Sequence, residues 1–121
     1  LKKREVAKVV KDSLEKYNGE RYKLFAWVIM PNHIHLLIKP INDWALEKIL
    51  HSFKSFTATE ANKILQRNGK FWMREAFDRY IRDYEHFEKT WRYIENNPVK
   101  AGLCKKSSDW EFSSAFGTPS S

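Results

Sequence analysis

One cysteine, Cys104, stands in 121 residues. A single thiol closes no internal disulfide, so the chain must hold together through its core, and a reducing compartment suits it. No apolar run is long enough to span a membrane, and the first residues carry no signal-peptide pattern. The expectation is a cytoplasmic protein with no membrane partner. There is no internal repeat and no linker-like stretch, which leaves a single domain over 1–121 as the simplest organisation. Acid is scarce: 15 Asp and Glu stand against 22 Lys and Arg, a formal charge of +7. That deficit favours a polyanionic partner, nucleic acid first. The same count also fits a solvated basic surface with no ligand.

Apolar material is ample, at 42% of the residues with 15% aromatic, enough for a core. Val6, Val9, Val10 and Leu14 recur at helical intervals within residues 1 to 17, and Asn18-Gly19 ends that helix. RYKLFAWVI (21–29) and HIHLLIK (33–39) read as two strands of a hairpin, joined through a turn or break at Met30-Pro31-Asn32. A long helix is expected from about 44 to 67, capped by Asp43 and closed by Asn68-Gly69. A short strand is expected around Phe71 and Trp72. A last helix should run from about Asp83 to Asn96 or Asn97 and stop before Pro98, with 99–121 mostly irregular. The sum is one α+β domain.

Within WVIMPNHIHLLIKP (27–40), two imidazoles interrupt the most apolar segment of the chain. Residues two apart on a strand point to the same face, so His33 and His35 project side by side while Ile34 faces the core. Two neutral imidazoles on one strand suit a divalent cation. The plainer reading is two polar residues on a solvated face. A third ligand must come from elsewhere, and TWRYIENNPVKAGL (90–103) holds Tyr93 and Asn97 at i and i+4, on one helix face. Asn97 can offer its side-chain oxygen to the same metal, with Asn96 as a rival. Tyr93 then sits a turn away, where its hydroxyl can attack a polarised phosphate. By spacing alone this is weak: a helical Tyr is more often packing, and Asn before Pro is a common helix stop. Tyr80 and Tyr84 are rival nucleophiles, with less suitable residues at i+4. His51 and His86 stand alone and read as surface or capping residues. Cys104 reads as inert, and Trp27, Trp91 and Trp110 as packing.

His33-Ile34-His35 resembles the His-hydrophobic-His motif of the HUH nucleases. MPNHIHLL, together with FDRYIRD and YIENNPVKAGL, resembles the REP-associated tyrosine transposases, relatives of the single-tyrosine transposases of small bacterial insertion sequences. The resemblance runs from about Leu24 to Trp110, and its three strings occur in order at family-like spacing. It implies a ferredoxin-like α+β fold, an antiparallel sheet with helices packed on one face. It implies that His33 and His35 bind Mg²⁺ or Mn²⁺ with Asn97, and that Tyr93 attacks a phosphodiester in single-stranded DNA. The product is a 5′-phosphotyrosine and a free 3′-hydroxyl, and strand transfer reverses the step. The implied partner is single-stranded DNA with hairpins beside a short guide sequence, met by a monomer or homodimer at the bacterial nucleoid. The family's first strand, ahead of the first helix, has no counterpart at the start of this chain. A domain short of one N-terminal strand, or a fragment, is therefore expected. Competing readings are a domesticated protein that binds DNA hairpins without cutting them and an RNA-binding α+β module.

The chemistry accounts for the residue types. A tyrosyl ester conserves the phosphodiester energy, so rejoining needs no ATP. Neutral His and Asn ligands leave a cation's full charge for the phosphate. An ordinary Tyr titrates near about 10, so the metal or a neighbour such as Lys100 must assist its deprotonation. For the DNA surface, the first helix carries Lys2, Lys3, Arg4, Lys8 and Lys11. A second basic group, Arg67, Lys70, Arg74, Arg79 and Arg82, is interleaved with Phe71, Trp72 and Phe77. Basic plus aromatic suits phosphate contact with base stacking. The plainer reading puts the charges on a solvated face and Trp72 and Phe77 in the core.

Overall fold

The structure, a computed structural model, describes residues 4–30, 34–66, 77–78 and 87–117. Helix α1 (Arg4–Lys16) leads into β1 (Tyr22–Ile29), β2 (Ile34–Pro40), α2 (Leu46–Leu65), β3 (Phe77–Asp78) and α3 (Phe87–Lys100), followed by a 3-10 turn at Ser107–Asp109. β1 and β2 form an antiparallel hairpin, and β3 joins β2 in parallel, so the order is β1-β2-β3. The α+β class is the one the sequence implies. The expected strand around Phe71 and Trp72, the Asn68-Gly69 helix end, the Pro31-Asn32 turn and the helix start at Asp83 lie outside the described residues.

Two apolar layers sandwich the hairpin. α1 turns one stripe inward, burying Val6, Ala7, Val10, Ser13 and Leu14. Ala7, Val10 and Leu14 pack with Ile49 of α2 against Tyr22, Trp27, Ile29, Ile34, Leu36 and Ile38. The opposite face holds Ala26, Val28, Met30 and Leu37 under Ile94 of α3, edged by Phe25, Phe87, Trp91 and Trp110. Helices on one face therefore describes α1 and α2, while α3 lies across the other.

A bulge in β1 makes both layers possible. The register jumps between Leu24 and Ala26, leaving Phe25 without an opposite residue. In a regular strand Leu24 and Trp27, three residues apart, would point to opposite faces. With the bulge, Tyr22, Leu24, Trp27 and Ile29 all reach the α1–α2 side. Phe25 turns to α3, with its ring 5.0 Å from Phe87, edge to face.

Several local contacts clamp α1 and α2 to the hairpin. The buried Tyr22 hydroxyl donates to the Leu14 carbonyl. Burial pushes its pKa up to about 12, against a smaller lowering by Arg21. The Arg21 guanidinium lies between the rings of Tyr17 (3.6 Å) and Trp44 (4.3 Å) and donates to Ser52 Oγ (3.1 Å).

Two helix ends differ from expectation. Asp43 does not cap α2; the N-cap is Ala45, with no side-chain bond. The Trp44 amide closes a turn onto the Ile41 carbonyl, and Asn42 and Asp43 take left-handed φ of 52° and 63°, which short Asn and Asp side chains tolerate. Pro98 lies inside α3 rather than after it, fully buried. α3 forgoes there the bond that an N–H at this position would give the Ile94 carbonyl. Gly102, at φ 75°, donates to the Val99 carbonyl and Leu103 to the Pro98 carbonyl, the paired closure of a left-handed C-terminus.

The C-terminal stretch is irregular in outline but docked as an extra edge. Ser113 bridges Val28 antiparallel, the Ile29 amide donates to Phe112 O, and the Ser114 amide donates to Trp27 O. Among the described residues, no helix is long and apolar enough to cross a membrane.

Candidate functional site

Strand pleating decides what β2 shows to each layer. Ile34, Leu36 and Ile38 enter the α1–α2 core, while His35 and Leu37 face α3. His35 pairs with Val28 on one side and with Asp78 on the other, so it sits mid-sheet and is 3% exposed. Its ring meets the ring of Tyr93 edge to face, with centroids 5.9 Å apart. Tyr93 is 39% exposed. A buried strand imidazole thus underlies a tyrosine that still reaches solvent.

α3 holds Tyr93 there by its opposite side. Ile94, one residue on, is fully buried against the sheet. Phe87 and Trp91 stack with Phe25, at 5.0 and 6.3 Å. The tail adds a polar tie: Ser114 Oγ accepts the Trp27 amide (3.0 Å) and donates to Glu95 Oε2 (2.7 Å). The Trp110 indole donates to Ile29 O (3.0 Å).

Asn97 is one turn beyond Tyr93, and its Nδ2 donates to the Tyr93 carbonyl (3.3 Å). That leaves Oδ1 as its acceptor for a cation. Lys100 places Nζ 5.8 Å from the Tyr93 ring centroid. Among the described residues, no cluster of three His, Cys, Asp or Glu suits a metal. An expected set of His33, His35 and an Asn amide would not form such a cluster, and His33 lies outside the described residues. The donors that are described, an imidazole and an amide oxygen beside the tyrosine, are of the kind a divalent cation takes.

A family model described as "Transposase IS200 like" matches residues 1–97. The chain belongs to that family. It is 29% identical over 94 residues to a REP-associated tyrosine transposase of Escherichia coli K12, covering 76% of this chain and 53% of that protein. It is 34% identical over 104 residues to a putative REP-associated tyrosine transposase of Haemophilus influenzae, covering 77% of this chain and 58% of that one. A solved structure of a REP-associated tyrosine transposase bound to a REP hairpin matches with a TM-score of 0.67 and 26% identity, over 87% of this chain and 62% of that one. The chain spans about half the length of the curated relatives it matches.

In this member of the family, the fold brings His35 against Tyr93, with Asn97 one helical turn on, and leaves Arg4 apart. Arg4 is on α1, across the sheet from Tyr93, where its guanidinium forms an ion pair with Glu111 (2.9 Å). Lys3, Arg67, Lys70, Arg74, Arg79 and Arg82 lie outside the described residues. Cys104 donates to the Lys106 carbonyl (3.2 Å), and burial, then Asp109, raises its pKa, which suits an inert thiol. His51 is exposed, and Trp27, Trp91 and Trp110 pack as expected. Glu95 and Ser114 escaped the sequence reading. Nothing in their spacing links them, and only the docked tail puts one against the other.

Proposed function

We propose that this chain nicks and rejoins single-stranded DNA carrying hairpins, with Tyr93 as the nucleophile. The observation that carries the reading is the contact between the buried His35 ring and the exposed Tyr93 ring, at 5.9 Å. The Tyr93 oxygen attacks the scissile phosphorus, a Tyr O–P bond forms, and the P–O3′ bond breaks. The tyrosine proton is lost and the departing 3′-oxygen ends as a hydroxyl. The strand is left as a 5′-phosphotyrosine, open to attack by a new 3′-hydroxyl. Mg²⁺ or Mn²⁺ held by His33, His35 and Asn97 would draw charge from the non-bridging oxygens and stabilise the leaving oxygen. His35, locked mid-sheet, fixes one ligand position, and α3, locked through Ile94, fixes the tyrosine. Lys100 supplies positive charge beside the phenol. The basic residues Lys3, Arg4, Arg67, Lys70, Arg74, Arg79 and Arg82 are proposed to meet the hairpin phosphates, with Arg4 leaving Glu111 to do so. The resemblance and the hairpin-bound structural neighbour support this substrate class, and the bacterial nucleoid is the proposed place of action.

The test is a covalent-adduct assay. The chain is mixed with labelled single-stranded DNA bearing hairpins from its genomic flanks, with Mg²⁺ or Mn²⁺, and run on a denaturing gel. A slow band that needs metal and disappears in Tyr93→Phe and His35→Ala supports the mechanism. A band that persists in Tyr93→Phe removes the nucleophile assignment. Hairpin binding without adduct under either metal favours a protein that recognises DNA without cutting it.

A further inference from the structure

The exposed side of α3 carries more than its tyrosine. Lys89, Arg92, Asn96 and Lys100 recur at spacings of three, four and four, so with Tyr93 they occupy one face of the helix. All five are exposed. They line one open groove, closed on its far side by Ser107 of the 3-10 turn. From Lys89 to Lys100 the stripe runs about 16 Å along the axis, with Tyr93 between its cations. One carboxylate also borders the groove, that of Glu95, and it accepts the Ser114 hydroxyl. Three cations around one phenol on a solvated helix repel one another, and a polyanion lying along them relieves that repulsion.

We infer that Lys89, Arg92 and Lys100 grip phosphates of single-stranded DNA on both sides of the bond presented to Tyr93. The inference rests on the nucleophile reading above and adds a DNA-contacting surface on the tyrosine helix itself. For the tyrosine oxygen to meet a phosphorus, the strand must lie in this groove. Cations at either end of the groove then hold it in line. Such contacts are blind to base identity, so the groove positions the strand while the hairpin is selected elsewhere.

The experiment separates binding from chemistry. In a Tyr93→Phe background, without metal, a fluorescently labelled oligothymidine is titrated at several salt concentrations. Each lost phosphate contact flattens the log–log salt dependence of a single-strand affinity by about 0.7. Lys89→Gln with Arg92→Gln is expected to flatten it by about 1.4 and weaken binding at every salt. A control pair on other surfaces, Lys23→Gln with Lys48→Gln, removes equal charge and is expected to change the slope little. Equal slopes for the two pairs, or no change for the stripe pair, overturn the inference. An equal loss on a blunt DNA duplex overturns the single-strand assignment. With Tyr93 intact, the stripe pair should raise KM for adduct formation more than it lowers kcat; the opposite split counts against it. A chain that binds through the stripe yet forms no adduct overturns the nucleophile reading, and with it the placing of a scissile bond between these cations, while the single-strand contact itself stands.

Discussion

On its α1–α2 side the sheet presents Trp27, Ile29, Ile34, Leu36 and Ile38, and the helices answer with Ala7, Val10, Leu14 and Ile49. On its α3 side it presents Ala26, Val28, Leu37 and His35, and α3 answers with Ile94 and Tyr93. The first interface is apolar nearly throughout. The second mixes small side chains, an imidazole, a phenol and a tail bonded to a helix carboxylate. Small residues line the sheet under α3, and His35 meets the Tyr93 ring there. Stability and the proposed chemistry thus fall on opposite faces of one hairpin, and substitutions should tell them apart.

The sharpest separation comes from Tyr93→Phe. Tyr93 is partly exposed and the substitution keeps its ring, so unfolding free energy should change by no more than about 1 kcal/mol, while the denaturing-gel adduct disappears. The converse is Leu14→Ala or Ile38→Ala on the other face. Each should cost about 2–5 kcal/mol in urea unfolding, with adduct yield per folded molecule unchanged. Loss of activity beyond the folded fraction would show that the faces are coupled. Ser114→Ala tests the polar tie between tail and tyrosine helix at Glu95. It should cost about 1–2 kcal/mol and raise amide exchange in the Trp27–Ile29 edge, because the Trp27 amide and Glu95 both lose a partner.

A pH series sharpens the dry face alone. Tyr22 titrates at about 12 when folded, above its ordinary value of 10.0. Between those values the unfolded chain releases this proton and the folded chain keeps it, so stability falls as pH rises through that window. Below it the buried hydroxyl contributes in full, and Tyr22→Phe should cost about 1 kcal/mol. The gap between wild type and variant should close as the pH climbs; a constant gap would mean that the phenol is not retained as a neutral donor. Arg4→Ala should matter least. Its ion pair with Glu111 is solvent-exposed on both sides, 70% and 40%, and belongs with pairs worth about 0–1 kcal/mol.

Much of the frame was legible in advance. The apolar spacing of Val6, Val10 and Leu14 located α1, and the runs around Trp27 and Leu36 located the hairpin to within a residue or two. These readings worked because a helix or strand with one buried face imposes its period on the residues. Asp43 and Pro98 misled because local preference was read without its surroundings. A turn onto Ile41 spent Asp43 on left-handed backbone, and α3 keeps Asn97 and the fully buried Pro98 within it, closing only at Gly102. The bulge at Phe25 has no periodic signal, yet it decides which face receives Trp27.

For the site, spacing put His33 with His35 on one strand face and Tyr93 with Asn97 on one helix face, and left Asn96, Tyr80 and Tyr84 as rivals; the resemblance chose among them. The sequence alone also set the charge and the order of the elements. That His35 and Tyr93 meet, that Glu95 is held by Ser114, and that Arg4 stands on the other side of the sheet were decided only by tertiary packing. Each depends on which face of the hairpin a helix covers. Helix α3 reaches its place through contacts with Phe25, Val28 and a tail docked at the edge, between residues too far apart in the chain for any local period to record.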